Sequence, residues 1–325
     1  MSLLNKPLGG YLELDLPNQH SEWLARAYKF NSARAAFASL VNQLAIKTVW
    51  LPRYLCDTMS DVFSNGEIEL KFYELADDFS IKTDAAVEYN ALLLYVNYFG
   101  ICEKQSRGVI AKYGANKVVI DNAQAFFSEP FDTLATMYSP RKFFGLPDGG
   151  LLYSNHPRIK QLEPKDTTSA SRTWHLFSRL TNSPEAAYQQ YQAAEQAIAE
   201  MSVLGMSELT ERLLNAVDYE TARTARKRNA HYLHERLGEY NHLEFHVDAD
   251  TAPLCYPLLP KVKTASRSEL INKRVFVPSY WPEVLTRVEE GSFEWNLVTN
   301  GLFLPCDQRY TENHMDRLIS LLAIQ

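Results

Sequence analysis

A chain of 325 residues, 46% hydrophobic and 22% charged, has the balance of an ordinary folded protein with room for one large core or two domains. Its formal net charge of -6, with no basic stretch to offset it, argues against a nucleic-acid backbone as the main partner. No run is long and apolar enough to span a membrane, MSLLNKPLGG lacks a signal-peptide pattern, and Cys56, Cys102, Cys255 and Cys306 are scattered, so a cytoplasmic protein with reduced thiols and no structural zinc is expected.

The first helical pattern is SARAAFASLVNQLAI, with Ala36, Phe37, Leu40, Val41 and Leu44 on one face. TVWLP (48–52) reads as a strand, and a helix-like segment after it ends at Asn65-Gly66. IELKFYEL, ALLLYVNYF, KVVIDNA, LATMYS and GGLLYS then read as further strands. ALLLYVNYF is apolar almost throughout, as a strand covered on both faces must be. Strands alternating with helices imply α/β architecture with a mainly parallel sheet sandwiched by helices. From 156 to 214 the character changes, and PEAAYQQYQAAEQAIAEM is made of helix formers. A long helical pattern covers DYETARTARKRNAHYLHERLGEY (218–240). Its basic run ARTARKR reads as a solvated face, and His231 and His234 at i, i+3 lack a third metal ligand. LEFHV, APLCYPLLPKVK and KRVFVPSYWP return to strand character before ENHMDRLISLLAI closes the chain as a helix. The expected division is a large domain over 1–214, with 156–214 a mostly helical insert, and a smaller α+β domain over 215–325.

Three features fall at strand ends of this sheet, where open α/β sheets bind ligands. Ser32 is a good N-cap for the first helix, whose free N–H groups attract an anion, and Arg34 adds a cation. The apolar run VVI ends in Asp121, a carboxylate placed to keep a proton on a ring nitrogen, and Gln124 can hydrogen-bond another ring substituent. Lys142 lies in YSPRKFFGLPDGG between Arg141 and Phe143-Phe144; a cation and desolvation are what turn a lysine into a nucleophile. Singly, each has a plainer explanation: a capped helix, a strand-to-loop turn, a surface lysine. In chain order, an anion-binding helix start, an acid and a lysine are what pyridoxal phosphate requires. The lysine would form a Schiff base and, once displaced, shuttle a proton between substrate and cofactor. No GxGxxG follows any strand, which disfavours a dinucleotide-binding protein.

These residues resemble the sugar-nucleotide aminotransferases of the DegT/DnrJ/EryC1/StrS family, which are fold type I pyridoxal phosphate enzymes. SARAAF, LPRYLCDTM, VNYFG, IDNAQAF, SPRKFFGLPDGGLL and LFLPCDQRYTENHMDRLISLL are similar to family segments and follow in the same order. The resemblance implies that Ser32, Ala33, Arg34 and Ser139 hold the cofactor phosphate, Asp121 and Gln124 its ring, and Lys142 its aldehyde. It also marks a divergent subgroup. Ala33 replaces a glycine, and Ile120 replaces a glutamate. Cys56 stands where an aromatic usually stacks on the ring, leaving Tyr54 as a substitute. Ser139 is three residues before Lys142 where five is common, and MSVLGMSELTERLL (201–214) replaces a segment that the family lends across its dimer interface.

The resemblance further implies a homodimer, an amino donor such as glutamate, and a keto-sugar nucleotide as acceptor in polysaccharide or antibiotic-sugar biosynthesis. Tyr280, Trp281, Trp295 and Tyr310 could line the acceptor cleft and Arg309 could meet an anionic group, with packing or surface roles the plainer reading. The same fold carries lyases, dehydratases and amino-acid transaminases, and a catalytically silent paralogue acting as a binding protein is a further alternative. Retention of both Asp121 and Lys142 speaks against silence.

Overall fold

Seven short strands form one sheet in the computed structural model, which describes residues 10–19, 21–64, 66–82, 85–248 and 250–324. They are β1 (Tyr28–Phe30), β2 (Thr48–Pro52), β3 (Glu69–Tyr73), β4 (Ala91–Val96), β5 (Val118–Asp121), β6 (Ala135–Tyr138) and β7 (Gly150–Tyr153). The spatial order is β1-β7-β6-β5-β4-β2-β3. Neighbours from β3 through β6 pair in parallel, while β7 runs antiparallel to both β6 and β1. Strands β4 and β5 are buried at every position, which explains why their sequences show no polar alternation. Edge strand β3 is open to solvent and mixes charge into ELKFY.

Helices α1 (Glu22–Ala25), α2 (Ala33–Leu44), α3 (Thr58–Asp61) and α4 (Glu103–Tyr113) lie before or between the strands. Helix α2 packs on β7, β1 and β6, and α4 on β4 and β5. The helix expected to run up to Asn65-Gly66 is only the four residues of α3; Gly66 turns with φ +76°, and Asn65 lies outside the described residues. After the sheet come α5 (Trp174–Thr181), α6 (Tyr188–Glu200), α7 (Glu208–Asn215) and the long α8 (Tyr219–Leu237).

A second, smaller core forms around α8, where Leu233 and Leu237 share a buried cluster with Tyr256, Leu304, Leu318 and Leu322. It contains an antiparallel pair, β8 (Tyr256–Leu258) and β9 (Leu302–Leu304), with α9 (Arg267–Asn272) and, after α10 (Phe293–Asn300), whose Leu297 and Val298 join the core of the large sheet, α11 (Glu312–Leu322). Less strand forms here than the sequence suggests. Prolines at 253, 257 and 260 confine β8 to three residues. In KRVFVPSYWP, two prolines and the positive φ of Arg274 and Trp281 prevent a ladder. LEFHV forms no strand either, and Phe245 instead packs its ring on His234 and Tyr256. Among the described residues no helix is long and apolar enough to cross a membrane.

The expectation that ARTARKR is a solvated face fails at one residue. Arg226 is buried, while Arg223 and Lys227 reach out to Asp250 as expected of surface cations. Arg226 donates from Nε to Gln308 Oε1 at 2.8 Å and from Nη1 to the Pro253 and Leu254 carbonyls at 2.9 and 3.1 Å. Its guanidinium lies over the Phe143 ring, 4.5 Å from the centroid. Gln308 in turn donates to the Phe143 carbonyl at 2.8 Å. The residue next to Lys142 is therefore gripped by two side chains of the smaller core.

Candidate active site

Strand β5 stays apolar until Asp121, so its last residue brings a carboxylate to the carboxyl edge of the sheet with almost no solvent around it. Asp121 Oδ1 accepts from the Ala123 N–H at 2.7 Å. Burial pushes this carboxyl above its ordinary range, and the nearby Lys142 ammonium pulls it back down. One turn on, Gln124 is fully buried; its Oε1 accepts from the Phe99 N–H at 2.8 Å, and its Nε2 has no partner. An amide donor left bare beside a buried acid is costly unless something completes it.

Lys142 ends the short turn Pro140–Lys142 that follows β6, its N–H bonded to the Ser139 carbonyl at 3.1 Å. Its side chain is exposed, so the amine is reachable from outside. Cys56, beyond the end of β2, joins the same cluster. Burial raises its thiol pKa, Lys142 is the strongest influence lowering it, and Thr58 Oγ1 donates to its sulfur at 3.2 Å. The fold thus brings together Cys56, Asp121 and Lys142, three residues well separated along the chain. Tyr54 does not join them: it is wholly buried, its ring packed on Tyr98 at 5.5 Å and Trp281 at 4.8 Å. No face of that ring is left for a ligand, so Cys56, not Tyr54, adjoins the lysine.

Ser32 caps α2 as expected, its Oγ accepting from the Ala35 N–H at 3.1 Å. The N–H groups of Ala33 and Arg34 belong to the same first turn, where Ser32 and Ala33 are buried. The Gly149-Gly150 turn presses against this point. Gly149 N–H donates to the Asn31 carbonyl at 2.8 Å, and Gly149 has φ +133°. A Cβ at Gly150 would fall inside the Ser32 backbone. Gly150→Ala must therefore displace the first turn of α2; a loss of about 1–3 kcal/mol is expected in denaturant unfolding, with weaker anion binding at Ser32. Behind the turn, Arg172 pairs with buried Asp166 and lies 3.9 Å from buried Asp148, whose Oδ2 accepts from the Ser207 N–H at 3.2 Å. Segment 201–214 accordingly braces the glycine turn from within the same chain.

Other expected residues serve packing. Phe143 and Phe144 face Phe126, Arg226 and Tyr219. Tyr280 packs on Phe99 and Phe303, and Trp281 on Tyr54. Arg309 is held bidentately by Asp307 at 2.7 and 2.8 Å, while Trp295 and Tyr310 are half-buried. Ser139 is half-buried, with no side-chain capping bond. Arg34 donates from Nη2 to the Ile198 carbonyl at 2.7 Å, and Arg141 pairs with Glu195, both on α6. Nothing in the polar sequence of α6 distinguishes Glu195 in advance.

The residues present fit a phosphorylated pyridine. A capped helix start, a buried acid, a bare amide donor and a reachable amine are the parts such a ligand needs, and the glycine turn leaves room for no side chain at the helix start.

No family model matches the chain, and no curated protein matches it. Solved structures do. A DegT DnrJ EryC1 StrS aminotransferase from Brucella abortus superposes with TM-score 0.61 at 14% identity, covering 93% of this chain and 86% of that one. A sugar aminotransferase from Micromonospora echinospora gives 0.62 at 13% identity, with 94% and 92% covered. The E coli GDP-4-keto-6-deoxy-D-mannose-3-dehydratase, with bound hydrated pyridoxal phosphate, gives 0.60 at 13% identity, with 91% and 87% covered. Across nearly its whole length, then, this chain has the fold of the fold type I pyridoxal phosphate enzymes.

Proposed function

We propose that the chain is a pyridoxal phosphate-dependent aminotransferase that moves an amino group from an amino acid such as glutamate to a keto-sugar nucleotide. The observation that carries this reading is that Lys142 acts on both buried Asp121 and Cys56, and Cys56 in turn on Arg34 in the first turn of α2. Bound pyridoxal phosphate would supply an electron sink for the substrate's Cα electrons. Lys142 would hold the cofactor aldehyde and carry a proton to and from the substrate carbon. Asp121 would keep a proton on the ring nitrogen, its burial shielding that proton from water. Gln124 Nε2 would serve as a donor to the ring's polar substituent, and Ser32, Ala33 and Arg34 would hold the phosphate. A homodimer, a cytoplasmic location and a division into units 1–214 and 215–325 belong to the same proposal.

A dehydratase is the second reading, favoured by the dehydratase among the solved structures of this fold. The test is direct. Protein incubated with pyridoxal phosphate should turn yellow, and borohydride should fix one pyridoxyl group on Lys142, located by peptide mass. A colourless protein, or a label on a different lysine, would sink both readings. Incubation with amino donors and keto-sugar nucleotides then separates amine transfer from loss of water.

A further inference from the structure

Arg34 and Arg141 come from distant parts of the chain and end on one helix. Arg34 is in the first turn of α2; Arg141 directly precedes Lys142. They bind Ile198 and Glu195, which are three residues apart on α6 and hence on one face. Arg141 is accordingly among the charges that act on Arg34. Two cations drawn to one stretch of α6 favour an anion near them. Burial weakens the hold of Arg34 on its proton, with Arg141 a further opposing charge, while Cys56 and Asp61 act the other way.

The counter-charge at Arg141 is incomplete. Its side chain is 15% exposed and its Nε is buried with no partner, whereas Glu195 is 43% exposed. His175 and Tyr191 adjoin the same pair. A guanidinium presents its donors as a planar fork suited to phosphate oxygens, and here part of that fork is unfilled.

We propose that Arg34 and Arg141 form a two-guanidinium receptor, within one chain, for the cofactor's phosphate, and that Glu195 is an internal carboxylate holding Arg141 until a phosphate displaces it. This rests on the cofactor reading above and adds Arg141 and Glu195 to the residues named there. Glu195 then competes with the ligand, so removing its charge tightens phosphate binding even as a surface ion pair is lost.

Pyridoxal has the aldehyde without the phosphate, which separates the two ends of the ligand. Affinities for pyridoxal phosphate and for pyridoxal are measured by absorbance titration on the full chain, with inorganic phosphate as competitor. Arg141→Met should weaken pyridoxal phosphate by about tenfold or more and leave pyridoxal unchanged. Glu195→Gln should tighten pyridoxal phosphate several-fold, leave pyridoxal unchanged and make inorganic phosphate a stronger competitor. Weaker pyridoxal phosphate binding in Glu195→Gln, or equal losses for both ligands in Arg141→Met, would overturn the proposal. If Arg141→Met does not fold, the sign of the Glu195→Gln effect decides alone. If wild-type protein takes neither ligand onto Lys142, the cofactor reading itself has failed; an adduct with no tightening in Glu195→Gln fails only the receptor.

Discussion

Lys142→Ala is expected to lower amine transfer by at least about 10²–10⁴-fold, the range that one positioned proton-transfer group contributes. The fold offers no ready replacement. Arg141 carries a guanidinium that stays protonated, and Arg226 is buried against the neighbouring phenyl ring. The substitution also removes the charge that opposes the upward shift of Asp121 and Cys56. Single-turnover absorbance with an amino acid is the measurement. The variant should bind pyridoxal phosphate without a borohydride-fixable label, and exogenous methylamine should recover part of the rate. Full activity in Lys142→Ala would remove the lysine from the chemistry.

Asp121→Asn should cost a comparable factor, for a different reason. Asparagine keeps the size and the Ala123 contact but cannot stabilise a positive ring nitrogen, so the bound cofactor becomes a poor electron sink. The same substitution changes acid–base stability with a definite sign. Burial holds the Asp121 carboxyl above its unfolded value, so in that window the folded state binds a proton that the unfolded chain has released. Its contribution is present in full below the ordinary carboxylate pKa and is lost as pH rises through the folded value. Asp121→Asn should abolish that slope in denaturant midpoints of the unliganded protein, whatever its effect on activity. A variant retaining the wild-type pH slope would show that another group produces it.

The central sheet could be read in advance because burial on two faces leaves an unbroken apolar run, as in ALLLYV and VVI. Asp121 stood out because it ends such a run with a charge, and Lys142 because it lies between Arg141 and two phenylalanines. Strands β1 and β9 were missed: three residues make a pattern too short to tell from a loop. Tyr54 and Cys56 could not be ranked from sequence, since two residues of irregular chain fix no facing direction; only the packing of Tyr98 and Trp281 shows which side chain turns inward. Arg226 looked like a surface cation because its partners are backbone carbonyls and a glutamine from far along the chain. Glu195 was hidden for the complementary reason, as one glutamate in a polar helix.

The grip of Arg226 and Gln308 on Phe143 has a mechanical consequence. Whatever pivots the C-terminal core against the sheet pulls on the backbone carbonyl next to the reactive amine. Closure over a substrate and alignment of Lys142 would then be one displacement rather than two, so loosening this tether should blur turnover while leaving the resting affinity for cofactor intact.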